Sequence, residues 1–212
     1  FGTSLIALDT ETGERRWHFQ TVKHDIWNYD NPAAPIQLDV NIPGRGVVPS
    51  VSQVTKQGFV YAFDRLTGEP LWEMEERPVP ASNVPGEKLA TTQPFPTKPP
   101  AFEMQGISED DLVDFTPALR QEAIDVMANY DMGPLFNPFI HDEDPSGKIA
   151  SAMCPGDGGG ASSSSRRGKA SKICWQLTGV SRLRKGTHQC PYPKQNQQSC
   201  LGANLDSRSL RH

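Results

Sequence analysis

His24, Asp25, Trp27, Asn28 and Asp30 crowd into the stretch HFQTVKHDIWNYDNP (His18–Pro32), and no helical or strand period accounts for their order. The two carboxylates can ligate a hard cation or take up a proton, His24 can donate to a ligand, and Trp27 can cover an aromatic cofactor. Each type also has an ordinary structural use. Asp and Asn cap turns, and Trp and Tyr bury. Their density in one irregular segment is what favours chemistry.

Two hairpins flank that segment. At an offset of 55, LIALDTETGERRWHFQ (Leu5–Gln20) and VYAFDRLTGEPLWEME (Val60–Glu75) agree at Ala7/Ala62, Asp9/Asp64, Thr12/Thr67, Gly13/Gly68, Glu14/Glu69 and Trp17/Trp72. Alternating apolar residues before the aspartate predict a strand. Asp-x-x-Thr-Gly then predicts a tight turn with side-chain acceptors and a glycine at positive φ, and the tryptophan opens the returning strand. A hairpin unit recurring in this way predicts blades of an all-β propeller, where each sheet buries its faces on its neighbours. Between the copies, Val47–Val54 and Gly58–Phe63 predict two further strands, turned at Thr55-Lys56-Gln57-Gly58. The His18–Pro32 segment thus leaves a blade as a connection, where rigid scaffolds carry their working groups. By position alone, Lys56 reads as an exposed turn lysine.

Residues 76–106 hold seven prolines and little periodicity, and are expected to run as an ordered, extended excursion or linker rather than a strand. Residues 108–130 are expected as a short helical insertion. Ser108 precedes an acidic first turn, and Thr116-Pro117 supplies an N-cap and N1 proline to a helix with Leu119, Ala123, Met127 and Tyr130 on one face.

No apolar run approaches the roughly 20 residues of a bilayer-crossing helix. The chain opens on Phe1 with neither an initiator Met nor a basic n-region, and is expected to begin inside a longer reading frame. The net charge of -4 conceals an asymmetry: residues 1–160 carry 11 Lys+Arg against 24 Asp+Glu, while residues 161–212 carry 10 against the single Asp206. The four cysteines (Cys154, Cys174, Cys190, Cys200) form no C-x-x-C pair, so zinc has no signature, while a disulfide framework and unpaired thiols both fit.

The stretches SLIALDTETGERRWHFQTVKHDIWNYDNPAAPIQLDV, TKQGFVYAFDRLTGEPLW, TTQPFPTKPPAF, DLVDFTPALR, GPLFNPF and PGDGGGA, taken in order over residues 1–161, resemble the pyrroloquinoline quinone (PQQ) dependent dehydrogenases of the quinoprotein glucose dehydrogenase type. The resemblance implies an eight-bladed propeller, of which this chain would supply two to three blades from the C-terminal half. It implies PQQ in the central channel with a divalent cation, expected as calcium, that polarises the quinone carbonyl while a carboxylate removes the substrate hydroxyl proton and hydride passes to the quinone. The substrate would be a glucose-like sugar or an alcohol. Electrons would go to a respiratory-chain quinone or cytochrome, and the setting would be the periplasm or a periplasm-facing envelope.

In the family's HD-x-W-D pattern the last Asp is the base. Here His24, Asp25 and Trp27 keep the pattern as cofactor-binding candidates, and Asn28 stands at the base position, where an amide cannot accept the proton. Asp30, two residues on, is then either a displaced base or the neighbour of an impaired site. Lys56, in TKQG, matches the basic residue that hydrogen-bonds the quinone oxygens. Lys23 stands where many relatives carry a second histidine. No ligand set for a metal follows.

After PGDGGGA the charge sign, cysteine use and strand alternation all change together, so 162–212 is expected to be a basic tail that is frameshifted or disordered. It lacks the aromatic interleaving of nucleic-acid binders, and no nucleic-acid partner is expected. Two other readings remain open: a non-catalytic propeller for protein binding, and an inactive truncated or frameshifted product.

Overall fold

The computed structural model describes residues 1–160 and the backbone of Gln176–Thr178. Strand β1 (Ser4–Leu8) pairs antiparallel with β2 (Arg15–Gln20). Their turn is built as the sequence predicts. Asp9 Oδ1 accepts from the N–H groups of Glu11 and Thr12, both at 3.0 Å, Thr12 Oγ1 accepts from Glu14 N–H at 3.2 Å, and Gly13 takes φ 73°. The second copy repeats these bonds. Asp64 Oδ1 accepts from Leu66 and Thr67, Thr67 Oγ1 accepts from Glu69, and Gly68 takes φ 79°.

The copies part company after the turn. Pro70 occupies the place of Arg15, and pairing back onto β5 (Val60–Asp64) shrinks to one bridge, Phe63 to Pro70, flanked by Leu71 N–H donating to Ala62 O at 2.9 Å. The expected second hairpin is therefore a turn with a vestigial return. Trp17 joins the two copies: its Nε1–H donates to Arg65 O at 3.1 Å, and its ring lies where a Cβ on Gly68 would come within 2.6 Å. The equivalent Gly13 faces open space. Gly68→Ala is thus expected to cost about 3 kcal/mol, the sum of left-handed strain and overpacking, against about 1 kcal/mol for Gly13→Ala, which meets the strain alone. Chemical denaturation of the two variants reads the difference; equal losses would mean the tryptophan contact contributes nothing.

Strands β3 (Ile36–Ile42), β4 (Gly46–Val54) and β5 form an antiparallel sheet in that order. Strand β3 lies outside the two strands expected between the hairpins, although Ile36, Leu38, Val40 and Ile42 alternate. The Pro-rich segment is also corrected. It is ordered, but it contains β7 (Thr92–Pro96), paired antiparallel with β6 (Met74–Pro78).

The helical insertion appears as a 3-10 turn at Glu109–Asp111 and helix α1 (Pro117–Met127), where Thr116 Oγ1 caps Leu119 N–H at 3.2 Å. Met127 is buried, with Ala123, Ile124 and Tyr130 packed in the same small cluster. Strand β9 (Ala150–Met153) pairs with β8 (Tyr130–Asp131) and with β10 (Gln176–Thr178). Of the tail expected to lack structure, only that last three-residue strand is described; the remainder of 162–212 lies outside the described residues.

Among the described residues the fold is therefore mostly strand, in open sheets, with one α-helix, and no helix is long and apolar enough to cross a membrane. The largest core cluster gathers Trp27 and Tyr29 with Tyr61, Phe63, Phe136 and Met153. Half of the chemically dense segment is thus core, and the core supports what lies above it.

Candidate functional site

The loop from β2 to β3 is tied down at its start by Thr21, whose buried hydroxyl donates to Thr3 O at 2.9 Å and meets Asn31 Oδ1 at 3.1 Å. His24 and Asn28 take φ of 51° and 63°. Two left-handed residues reverse the chain twice within a few positions, which is why no regular period fits it. Asp25 braces the first reversal, its Oδ1 accepting from Trp27 N–H at 2.9 Å and its Oδ2 from the Thr3 hydroxyl at 3.3 Å.

Burial pushes the Asp25 carboxyl above its ordinary value of 3.8, and hydrogen bonds from Trp27, Tyr29 and Thr3 offset that only in part. The folded protein therefore binds this proton more tightly than the unfolded chain. The resulting stability is fully present below pH 3.8 and is lost as the pH rises through the folded value. Above it, the ionised carboxylate weighs against the fold. Asp25→Asn, which keeps the acceptor for Trp27, is expected to hold or raise the melting temperature at pH 7 and to lose that advantage near pH 3. A clear fall at pH 7 would mean that the charge itself is needed.

Beyond Asp25 the side chains alternate. Trp27 and Tyr29, each 1% exposed, go inward, while Asn28 and Asp30 stay exposed. Trp27 donates from Nε1 to Asn137 O at 2.7 Å, stacks on Tyr29 and meets Phe136 edge-on at 5.2 Å between centroids. Tyr29 donates its hydroxyl to Pro155 O at 2.6 Å, and burial holds that phenol protonated. The expectation that Trp27 covers a cofactor is thus corrected. Both of its faces are packed against protein, and its role is to anchor the segment.

The reading of Lys56 as an exposed turn lysine is corrected as well. Lys56 is 9% exposed, and its Nζ donates to Asn28 O at 2.8 Å and to the Asp30 carboxylate. The turn that carries it is closed by Gly58 N–H donating to Thr55 O. A third segment covers it: Gly160 N–H donates to Lys56 O at 2.9 Å, and a Cβ on Gly159 would lie 2.3 Å from Lys56 Cβ. Asn28 Nδ2 reaches Asp157 O at 3.5 Å. The stretches VKHDIWNYD, TKQG and PGDGGG, far apart in sequence, thus converge on one lysine, the first at its ammonium and the last at its backbone.

Of the residues expected at the site, Asn28, Asp30 and Lys56 come together, Asp25 braces their loop, and Trp27 lies beneath. His24 is exposed and makes no side-chain hydrogen bond among the described residues. Two residues were missed. Gln57 is fully buried, and neither atom of its amide finds a partner among the described residues, an arrangement that is rare in folded proteins. Gln93, also fully buried, grips the backbone of Lys23. Gln57 sat inside the TKQG motif and could have been found; nothing near Gln93 in sequence pointed to the loop.

Residues 1–208 match the family model described as the PQQ glucose/ethanol/alcohol dehydrogenase, β-propeller domain. Quinate/shikimate dehydrogenase (quinone) of Acinetobacter baylyi is 36% identical over 117 residues, which are 55% of this chain and 14% of that protein. The glycerol dehydrogenase large subunit of Gluconobacter thailandicus is 35% identical over 116 residues, 54% of this chain and 16% of that one. Quinoprotein glucose dehydrogenase of Escherichia coli is 37% identical over 95 residues, 45% of this chain and 12% of that one. A solved quinohemoprotein alcohol dehydrogenase from Pseudomonas putida HK5 is 38% identical over 32% of this chain and 10% of its own, with a TM-score of 0.31. The matched part of this chain therefore spans about one-seventh of the length of these curated relatives.

Proposed function

Because the chain belongs to the PQQ glucose/ethanol/alcohol dehydrogenase β-propeller family, we propose that it supplies the part of a quinoprotein dehydrogenase that holds the quinone and orients a hydroxyl substrate. The observation that carries this reading is the capture of Asn28 and Asp30 by the buried Lys56. The residues present fit the cofactor. The Lys56 ammonium offers donors to quinone oxygens. The neighbouring Gln57 amide is buried with both Nε2 and Oε1 unpartnered among the described residues, and so has hydrogen bonds left to give.

PQQ, when bound, supplies the acceptor for the hydride that leaves the hydroxyl-bearing carbon. The protein's own residues do the rest. Lys56 Nζ, largely removed from water, would hold the quinone oxygens and offer positive charge to them, and low local dielectric would strengthen that attraction. Its bond to Asn28 O fixes the loop relative to the Thr55–Gly58 turn. Lys56 occupies Asp30 Oδ1, and Oδ2 has no partner among the described residues. With the Asp30 side chain 58% exposed, Oδ2 is the oxygen we assign to receive the substrate's hydroxyl proton. Asn28 cannot take that proton.

The named relatives act on quinate or shikimate, glycerol and glucose, and all of these carry an oxidisable hydroxyl; a sugar or polyol is the proposed substrate class. A divalent cation, expected as calcium, would draw its ligands from beyond these residues, since no three of His, Cys, Asp and Glu gather among the described residues. A respiratory-chain quinone or cytochrome as acceptor and a periplasmic setting complete the proposal.

A second reading, a site that binds quinone and turns over poorly, is favoured by Asn28 alone. The full-length protein, supplied with PQQ, a divalent cation and an artificial electron acceptor, tests both. PQQ-dependent oxidation of glucose, glycerol or quinate supports the first, quinone binding without turnover supports the second, and absence of any PQQ binding removes both.

A further inference from the structure

Lys23 stands immediately before the first left-handed residue of the site loop, and every polar group it carries is held by the Pro-rich β6–β7 hairpin. Its N–H donates to Gln93 Oε1 at 2.8 Å, and its carbonyl accepts from Gln93 Nε2 at 2.7 Å. Its ammonium donates to Glu76 Oε2 at 2.6 Å, and Thr92 donates to the same oxygen at 2.7 Å. Two residues earlier in the loop, Thr21 O lies 3.3 Å from the Tyr61 hydroxyl, which donates to Pro94 O at 2.8 Å.

A primary amide bonded to both the N–H and the C=O of one residue does for that residue what a neighbouring strand does in a sheet. The loop cannot recruit a strand there, because His24 at φ 51° turns the chain away from an extended course. Gln93 is fully buried, so neither of its bonds is exchanged for water. Resting on the quinone-site reading above, we propose that Gln93 is a positioning residue: its clasp on Lys23 sets where Asn28 and Asp30 emerge beneath Lys56, and the Pro-rich hairpin serves as the brace that holds the loop in its binding form. Both hydrogen bonds of the Gln93 amide go to the Lys23 backbone and neither reaches Asn28 or Asp30, so the clasp acts through the loop backbone.

The test uses the full-length protein with Gln93→Leu, which removes both bonds at similar volume, and Gln93→Glu, which as a carboxylate can accept from Lys23 N–H but cannot donate to its carbonyl. Trypsin cleavage at Lys23–His24, measured without PQQ, reports the clasp alone and is expected to accelerate roughly tenfold in Gln93→Leu. PQQ affinity, followed by absorbance, is expected to fall by roughly the same factor. In Gln93→Glu the affinity should recover as the pH is lowered, because the neutral acid donates as the amide does, while the wild type shows no such recovery. Ile124→Ala, which loosens the distant helix cluster, should leave both readouts unchanged when its melting temperature falls by as much. Faster cleavage with unchanged affinity would overturn the positioning role. Unchanged cleavage would overturn the clasp itself. A wild type that binds no PQQ while Gln93→Leu is cleaved faster would overturn the quinone reading and leave the clasp standing.

Discussion

Lys56→Met in the full-length protein is expected to weaken PQQ binding about a hundredfold, the loss of one to two charge-assisted hydrogen bonds from a partly dehydrated site. Methionine keeps the length and the packing under Gly159 and removes only the ammonium. That group also holds Asn28 O and the Asp30 carboxylate, so the variant should loosen the loop as well. The stability loss is expected to be small, about 1–2 kcal/mol, because Asp30 is 58% exposed and water replaces much of what it loses. Lys88→Met, at an exposed lysine, is the control and should change neither quantity. A Lys56→Met protein that binds PQQ as the wild type does would remove Lys56 from the site.

Asn28→Asp is expected to raise turnover about a hundredfold, the span between what a displaced base at Asp30 and a well-placed one contribute. The substitution changes one atom, and aspartate tolerates the left-handed φ of 63° as asparagine does. The exchange gives up the long 3.5 Å contact from Nδ2 to Asp157 O and places a carboxylate on the residue whose carbonyl lies 2.8 Å from the Lys56 ammonium. The partner variant separates the two roles open to Asp30. If Asp30 is a displaced base, Asp30→Asn costs about a hundredfold in turnover in the native background and little once Asn28→Asp is present. If Asp30 serves only to hold Lys56, the loss persists in both backgrounds. No gain from Asn28→Asp would mean that position 28 is not where the proton is taken.

The parts of the fold that were legible in the sequence are those whose cause is local. Asp-x-x-Thr-Gly carries its own acceptors and its own left-handed glycine, so both turns could be read from a few residues, and Thr116-Pro117 announced α1 in the same way. The parts that were not legible depend on partners distant in the chain. Strand β7 was hidden by Pro94 and Pro96; spaced two apart, they place both missing N–H groups on one edge of the strand, and the other edge pairs with β6 undisturbed.

The opposite holds after Gly68, where the return strand that the repeat with Trp17 and Trp72 suggested stops at one bridge, Phe63 to Pro70. At the site, residue types and family resemblance pointed to Asn28, Asp30 and Lys56. The burial of Lys56 depends on glycines 159 and 160 closing over its turn, and that of Trp27 on Phe136 and Asn137, so neither could be read from the neighbouring sequence. Gln93 was invisible for the same reason.

The most direct measurement is a crystal structure of the full-length protein with PQQ bound. The account predicts Lys56 Nζ within about 3 Å of a quinone oxygen, with Asn28 and Asp30 on the same side of the cofactor. A quinone seated elsewhere, with Lys56 still enclosed by Asn28, Asp30 and the Gly159 loop and facing away from it, would contradict the account.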